Sequence, residues 1–197
     1  LDANASHIII SLKDQGLTQV SVEDDGIGMS REDALQASVR HATSKVYEAK
    51  DLQRIQTLGF RGEALAAIAS VSHLTIETKD RQSEGIQLQY EGGMLKNESL
   101  VARNQGTKVT VSSLFYNTPA RFKFLSSDYQ HQRQLRQLFY QLSLSHPEIA
   151  FTLIEDEVVF KQTTGSGQVK MVMHELFGSS YAQELIHLES DIQHTSI

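Results

Sequence analysis

The sequence of 197 residues contains no cysteine. This absence excludes a disulfide scaffold, a thiolate zinc site, an iron–sulfur cluster and a cysteine nucleophile. A chain of this length buries enough of its surface on folding to need no such support. The lack of cysteine also fits the reduced environment of the cytoplasm.

An excess of positive charge and long hydrophobic runs are missing as well. The 18 Lys and Arg residues face 24 Asp and Glu, which gives a net charge of −6, whereas a free-standing nucleic-acid-binding domain is usually basic. The longest run of small apolar residues, at positions 64–71, is far shorter than the roughly 18 residues of a membrane span. No signal-peptide pattern opens the sequence. Any DNA contact would therefore depend on a local basic patch.

The order of apolar and polar residues predicts a mixture of strands and helices. Strand patterns cover positions 7–13, 17–24, 74–78, 86–90, 108–111, 149–154 and 158–162. Helices are predicted from Ser30 as N-cap to about His41, and over positions 51–55, 63–70, 129–145 and 168–177. Helices mixed with hairpins predict a two-layer α/β sandwich.

Glycines mark two candidate domain boundaries, at positions 165–167 and near Gly178. We predict a first domain over residues 1–167 and, over residues 168–197, a connecting helix with the first part of a second α/β domain. The sequence starts at Leu1 without a methionine and ends at Ile197 without a tail-like composition. Both ends are expected to be cuts through a longer protein, which would truncate both domains.

The two common nucleotide-binding signatures are missing from the sequence. It has neither a Gly-x-x-x-x-Gly-Lys-Ser/Thr phosphate loop nor a complete Gly-x-Gly-x-x-Gly. Asp24-Asp25-Gly26-Ile27-Gly28 stands out instead, between a predicted strand and a predicted helix. Glycines there let a flat ligand lie against the backbone, and a carboxylate accepts a hydrogen bond from an exocyclic amine such as that of adenine. An acidic turn with two flexible glycines is the structural alternative.

Two further segments contain the residue types of a phosphate site. Residues 40–45 (RHATSK) place two hydroxyls and a lysine at a predicted helix end, where they could contact phosphate oxygens. A solvated helix end whose cations oppose the helix dipole is the alternative. Residues 57–65 (TLGFRGEAL) form a glycine-flanked loop that leads into a helix and offers backbone N–H groups to an anion. A loop-to-helix turn without a function fits that spacing equally well.

A fourth segment combines GTKVTV at positions 106–111 with LFYNTPAR at positions 114–121. Gly106 before a strand is a common residue at the boundary between two secondary-structure elements. Thr107 has a functional interpretation only if it lies opposite Asp24 in the sheet.

Taken together and in this order, the four segments resemble the GHKL ATPase superfamily and, within it, the MutL family of DNA mismatch-repair proteins. This resemblance rests on HATSK, TLGFRGEAL and the pair of GT and LFYNTPAR. It is strong from Leu1 to about Leu125 and weaker from there to Ile197. It implies a two-layer α/β sandwich of the GHKL type, with a mixed, largely antiparallel sheet and helices on one face. Gyrase, heat-shock chaperone and histidine-kinase relatives share the first segment but are not expected to contain LFYNTPAR. A gyrase-like subunit is the alternative within the superfamily.

The resemblance implies an ATP site with Mg²⁺ as a further cofactor. Asp24 would take the adenine amino group, and Thr107 would support it directly or through a water. Gly26 and Gly28 would line the base, with Ala3 beside the nucleotide. The other residues implied to bind ATP are Met29, Thr43, Ser44, Lys45, Gly59, Phe60, Arg61, Gly62, Glu63, Ala64 and Leu65. Those at positions 43–45 would touch the phosphates, and those at positions 59–65 would form a lid that offers its backbone to them.

Two residues that the family uses for hydrolysis are absent from this sequence. The family's first motif contains a glutamate as general base and an asparagine as magnesium ligand, and residues 1–5 match only its tail. Asn4, where the family commonly has glycine, does not replace the missing ligand. We therefore predict no catalytic residue and no metal ligand here, and a pocket that binds adenine but hydrolyses little. Asp25 stands where the family commonly has asparagine, which is tolerable if this carboxylate faces solvent.

The resemblance also implies partners for the longer protein. They are a MutS-type mismatch sensor, DNA, and a second copy of the protein when ATP is bound, with no membrane and a location in the bacterial cytoplasm. ATP binding and hydrolysis would be coupled to dimerisation and signalling, whereas a partial, non-hydrolysing interaction module is the alternative. Arg121, Lys123, Arg133 and Arg136 form a basic stretch that could meet DNA phosphates. A solvated helix face is the alternative for that stretch.

Overall fold

An eight-stranded sheet organises the computed structural model, which describes residues 1–38, 64–125 and 129–183. Its strands are β1 (His7–Lys13), β2 (Gln19–Asp24), β3 (His73–Lys79), β4 (Ile86–Glu91), β5 (Met94–Leu100), β6 (Gly106–Ser112), β7 (Ala150–Glu155) and β8 (Val158–Gln162). They are arranged in the order β5-β4-β3-β6-β2-β1-β7-β8. β1 and β7 are parallel, and the other neighbouring pairs are antiparallel. The sheet is therefore mixed and largely antiparallel, as expected.

Six helices precede, connect or follow these strands in the described part of the chain. They are α1 (Arg31–Ala37), α2 (Ala64–Ser70), α3 (Pro119–Leu125), α4 (Tyr129–Ser145), α5 (Val169–Phe177) and α6 (Ser179–Gln183), with a 3-10 turn at Asp14–Gly16. The predicted cap of α1 is confirmed, because the Ser30 hydroxyl oxygen accepts a hydrogen bond from the Asp33 N–H. Within the described ranges, no helix has the length and apolar character needed to cross a membrane.

Strand register places the apolar side chains on one face of the sheet. The residues aligned in the middle row of this face are Leu153, Ile10, Val22, Val109, Ile76 and Leu88. Successive side chains of a strand point to opposite faces. The next row therefore faces the other way, and it contains Glu23, Lys108, Glu77 and Gln87. Helices pack on the apolar face through the clusters described next, which confirms the predicted two-layer sandwich.

Two separate hydrophobic clusters lie between the sheet and its helices. In the first, Phe139 of α4 packs with Phe151 of β7, and residues of β1 and α5 join them. In the second, Ala34 of α1 and Ala69 of α2 pack with residues of β3 and β4. β2 and β6 run between the two clusters, and Val22 on the apolar face of β2 is 42% exposed. We call the gap that the described helices leave over the middle of the sheet the central cleft.

Three described elements are not predicted by the sequence pattern, namely β5, α3 and α6. All seven residues of β5 are exposed, so MLKNESL has no alternation of buried and exposed positions to detect. α3 starts at Pro119, a residue favoured in the first turn of a helix. For α1, the predicted extension beyond residue 38 lies outside the described residues, as does the predicted helix at positions 51–55.

The predicted bounds of α4 are confirmed, but of the apolar residues whose helical spacing predicts it (Leu135, Leu138, Phe139 and Leu142), Leu138 lies on a different face. Leu135, Phe139 and Leu142 contact the first cluster, whereas Leu138 is 49% exposed. One residue step along a helix turns the side chain by about 100°. Leu138 therefore lies well away from the direction of Phe139, which is 1% exposed and points into the core.

α5 packs on the same core as the strands that precede it. Its Val172 and Leu176 are buried in the first cluster, at 0% and 2% exposure. The division of the chain after residue 167 remains a prediction. This packing favours its alternative position near Gly178, because a helix that fills the core of a domain is part of that domain.

Asp25 connects the end of β2 to the start of β1. Its Oδ1 accepts hydrogen bonds from the N–H groups of Ser6 and His7 at 2.7 and 2.8 Å, and its Oδ2 accepts one from the Ser6 hydroxyl at 2.5 Å. Burial by itself raises the pKa of Asp25, but these bonds outweigh it and hold the pKa well below its usual value. The carboxylate is 41% exposed, so it faces solvent in part and also serves as a structural acceptor.

We expect Asp25→Ala to lower the free energy of unfolding by about 1–2 kcal/mol at neutral pH, because three donors lose a charged but partly exposed acceptor. The native pKa of Asp25 is lowered, so its contribution is complete above the unfolded pKa of about 3.9 and is lost as the pH falls further. The stability difference between wild type and variant, measured by urea denaturation, should therefore shrink from about pH 6 to about pH 3.

Glu157→Ala provides the control, because this carboxylate is 84% exposed and lies 3.8 Å from Lys13 Nζ. Removing such a surface pair should change the free energy of unfolding by less than about 0.5 kcal/mol. A stability loss in Asp25→Ala that stays constant over this pH range would contradict the structural role of the carboxylate.

Candidate functional site

Three polar side chains interrupt the apolar face at one end of the central cleft. Register places Asp24 of β2 opposite Thr107 of β6, and Thr107 opposite Thr78 of β3. They lie two positions along their strands from Val22, Val109 and Ile76, and so share the apolar face with them. The condition that Thr107 lie opposite Asp24 is therefore met.

The turn after β2 orients the Asp24 carboxylate. Its Oδ1 accepts a hydrogen bond from the Gly26 N–H at 2.9 Å, and the Ile27 N–H donates to the Ala3 carbonyl at 2.9 Å. A Cβ atom on Gly26 would lie 2.6 Å from the Ala3 oxygen and 2.9 Å from Asp24 Oδ1. Glycine is required here because Ala3 supports the turn at a distance that leaves no space for a side chain.

The second half of this turn is anchored on the end of β3. Gly28 has a φ of +70°, and a Cβ atom there would lie 2.0 Å from the carbonyl oxygen of Lys79. The next residue, Met29, donates its N–H to Thr78 Oγ1 at 2.9 Å. Gly28 and Met29 therefore lie against the strand end that also carries Thr78.

Thr78 is the residue of this site that the sequence analysis misses. Its Oγ1 lies 3.0 Å from Thr107 Oγ1, and the two residues are 0% and 9% exposed. The sequence contains one signal for it, since Thr78 continues the face of β3 on which Leu74 and Ile76 are buried. A threonine at the next position of an apolar face marks a place where a hydroxyl needs a buried partner.

The central cleft combines an apolar floor with polar groups at one end. Val22 is 42% exposed, Val109 is partly buried, and Asp24 offers a carboxylate beside them. Ligand pockets typically have apolar walls and a few polar groups that fix the orientation of the ligand. A flat ring with an exocyclic amine matches this arrangement, because the carboxylate accepts hydrogen bonds and the valines cover the ring.

The described structure brings together Ala3, Asp24, Gly26, Gly28, Met29 and Thr107 from the predicted ATP-binding residues. The predicted phosphate-side residues at positions 43–45 and 59–63 lie outside the described residues. Ala64 and Leu65 begin α2, where Ala64 is exposed and Leu65 packs against the second cluster. The side chain of Leu65 therefore contributes to the core, and its predicted contact with the nucleotide stays a prediction.

The part of the chain that the structure describes contains no metal centre, and its one Ser/His/Asp cluster considered as a relay does not have the required geometry. No group of three or more His, Asp or Glu side chains there is arranged to hold a metal ion. Ser6, His7 and Asp25 lie close together, but the Ser6 hydroxyl and the Asp25 carboxylate contact the same ring nitrogen, Nδ1, at 3.0 Å each. A relay needs its nucleophile and its orienting acid on opposite ring nitrogens of the histidine, which is the base.

The LFYNTPAR segment connects α2 to the sheet. The Phe115 N–H donates to the Val71 carbonyl at 2.6 Å, and Asn117 Nδ2 donates to the Ser70 carbonyl at 2.9 Å. Carbonyl groups at the end of a helix have no partner within the helix. The segment therefore supports the carboxyl end of the helix that follows the predicted phosphate loop.

Within the basic stretch of residues 118–145, Arg136 serves the fold. Arg136 donates from Nε and Nη2 to the Glu155 carboxylate at 2.9 and 2.5 Å, and its guanidinium lies 4.0 Å from the centre of the Phe160 ring. A phosphate contact by Arg136 would break this partly buried ion pair. Arg121 and Arg133 are exposed.

The chain belongs to the family of histidine kinase-, DNA gyrase B- and HSP90-like ATPases, whose sequence model matches residues 1–119. These residues contain the turn after Asp24 and the Thr107 strand. Within this family the chain is of the MutL type. It is 42% identical over 190 residues to the DNA mismatch repair protein MutL of Exiguobacterium sp., and 43% identical over 186 residues to that of Lactococcus lactis subsp. cremoris.

These two alignments cover 96% and 94% of this chain but 31% and 28% of the relatives. The chain therefore spans about a third of their length. Among solved structures, the ADP complex of the Aquifex aeolicus MutL ATPase domain has a TM-score of 0.70 and 26% identity, over 89% of this chain and 62% of that chain. A crystal structure of the N-terminal domain of a DNA repair protein has a TM-score of 0.77 and 28% identity, over 91% of this chain and 53% of that chain. The MutL resemblance and the GHKL-type fold are confirmed, and the gyrase-like alternative is not favoured.

Gly28 and Gly167 allow a matched test of the turn. Both have a left-handed backbone, with φ of +70° and +75°, but nothing lies within 4 Å of a Cβ atom on Gly167. Alanine should cost about 1 kcal/mol at either position for its backbone conformation. Gly28→Ala should lose at least about 2 kcal/mol more, because the backbone at Lys79 must move. Urea denaturation measures both, and equal losses would contradict the close approach of Gly28 to β3.

Proposed function

We propose that the central cleft binds the adenine base of ATP, and that the chain forms the ATP site of a longer mismatch-repair protein of the MutL type. The alignment of Asp24 with Thr107 at the end of an apolar cleft is the observation that supports this proposal. The adenine amino group would donate to the Asp24 carboxylate. A guanine base would present an oxygen at that position, and two acceptors would then face each other.

The turn from Gly26 to Met29 would form the wall beside the base. Gly26 and Gly28 have no side chains, so the ring can approach the backbone closely. Val22 would lie under the ring, and binding would remove the exposed apolar surface of this valine from water. Ala3 would support the wall from behind through its hydrogen bond with Ile27.

The phosphates would extend toward the residues predicted for them. Thr43, Ser44, Lys45 and the segment from Gly59 to Leu65 remain the proposed contacts. Mg²⁺ would bind together with the phosphates and neutralise part of their charge. Hydrolysis needs a general base within reach of the attacking water, so nucleotide binding is the activity that we propose for this chain.

The proposed role in the longer protein is to couple ATP binding to dimerisation and to communication with a MutS-type sensor and DNA. The relatives named as DNA mismatch repair protein MutL support this role. A bacterial cytoplasmic location is proposed on the same grounds. For DNA contacts, the exposed Arg121 and Arg133 are better candidates than Arg136, whose guanidinium is paired with Glu155.

Asp24→Asn should weaken ATP binding by about 1–3 kcal/mol, which is roughly 5- to 150-fold in Kd, because an amide donor can then face the adenine amino group. Isothermal titration calorimetry with ATP and GTP measures both the affinity and the base preference. We expect the wild-type chain to prefer ATP and the variant to lose most of this preference.

Glu23→Gln is the matched control for Asp24→Asn. It removes the same charge at the adjacent position, where the carboxylate faces the polar side of the sheet near Arg103 and Lys108. Its ATP affinity should stay within about twofold of wild type, since Glu23 lies on the face of the sheet opposite the central cleft. Wild-type affinity for ATP in Asp24→Asn would overturn the proposed adenine contact.

A further inference from the structure

Thr78 has a buried hydroxyl that contacts three polar groups next to the proposed base site. Its Oγ1 accepts a hydrogen bond from the Met29 N–H at 2.9 Å, lies 3.0 Å from Thr107 Oγ1, and lies 3.2 Å from the Gly106 carbonyl oxygen. A threonine hydroxyl has one proton and two lone pairs. The three contacts therefore use its full hydrogen-bonding capacity.

The chemistry of these neighbours determines the direction of each bond. The Met29 N–H only donates and the Gly106 carbonyl only accepts, so the Thr78 proton points to Gly106. In the remaining contact, Thr107 must then be the donor. Thr107 directs its own proton to Thr78, which leaves only lone pairs on the Thr107 hydroxyl for a ligand in the central cleft.

We propose that Thr78 determines base specificity by holding the Thr107 hydroxyl in this orientation. The inference rests on the proposed adenine site. Asp24 and Thr107 then form a wall of hydrogen-bond acceptors only, which attracts an amino group and repels the oxo group of a 6-oxopurine. Without the Thr78 hydroxyl, the hydroxyl of Thr107 rotates freely and donates its proton to an oxo group. Asp24 and Thr107 then no longer distinguish adenine from a 6-oxopurine.

The same Thr78 hydroxyl also holds the turn from Gly26 to Met29 and the Thr107 strand in place beside the base. Through the Met29 N–H it fixes the turn that contains Gly28, and through Thr107 it fixes the start of β6. Thr78 does not itself need to touch the nucleotide, because it is 0% exposed behind Thr107. It is a positioning residue, and its effect should be seen in base preference.

Thr78→Val tests this inference because valine has nearly the shape of threonine and lacks the hydroxyl. The probes are ATP and inosine triphosphate, whose base has an oxo group in place of the amino group, titrated calorimetrically into the chain. We expect ATP affinity to fall about five- to tenfold. Inosine triphosphate affinity should fall less or rise, so the ratio of the two affinities should narrow by at least about threefold.

Thr78→Ser should restore the wild-type ratio, because it retains the hydroxyl. Thr78→Ala removes the hydroxyl with a smaller side chain and is the second variant if valine prevents folding. Thr163→Val is the matched control, since Thr163 is 5% exposed and its Oγ1 accepts the Phe151 N–H at 3.0 Å on β7, two strands away from β2. It should lower stability and leave the affinity ratio unchanged.

The outcomes separate the inference from the proposed function. If the wild-type chain prefers ATP and Thr78→Val keeps the same ratio, the inference is overturned while the adenine site stands. If Thr163→Val narrows the ratio as much as Thr78→Val, the effect comes from lost stability and the inference is again overturned. If the wild-type chain binds neither nucleotide, the proposed function is overturned and the inference with it.

Discussion

The register between β2, β6 and β3 is the constraint on which both the core and the site depend. It aligns Val22, Val109 and Ile76 in one row and, two positions further along, Asp24, Thr107 and Thr78 in the next. A slip of one residue would turn each of these side chains to the opposite face of the sheet. The hydrogen bonds of these strands therefore hold the polar groups of the site in place at the same time as they bury the apolar face.

The division of the helix layer into two clusters explains why the site lies where it does. α4 and α5 cover β1 and β7, α1 and α2 cover β3 and β4, and the central cleft lies between them. A valine on the apolar face of a sheet is ordinarily covered by other apolar side chains, but Val22 is left 42% exposed. The exposed valine next to Asp24 is what gives the cleft both a surface for a ring and an acceptor for its amine.

How far the sequence predicts this structure depends on the range of the interactions involved. α4 was predictable to the residue because helical spacing reports which of its side chains pack on the core, and the bounds of β8 were also predicted correctly. β5 was not, since all of its residues are exposed. In the site, the turn was identified from the spacing of Asp24, Gly26 and Gly28 together with the family resemblance. The contribution of Thr78 depends on contacts with Met29 and Thr107, which are far from it in sequence.

Local signals in the sequence were enough to predict the strands with alternating residues, the Ser30 cap, the glycine turn after Asp24, and the motifs that assign the chain to the MutL type. The folded chain was needed to see that Thr107 lies opposite Asp24, that Asp25 joins two strands, and that Arg136 is paired with Glu155. The physical reason is that periodicity and capping act between residues a few positions apart. Strand pairing and ion pairs, in contrast, depend on which distant segments the folding of the core brings together.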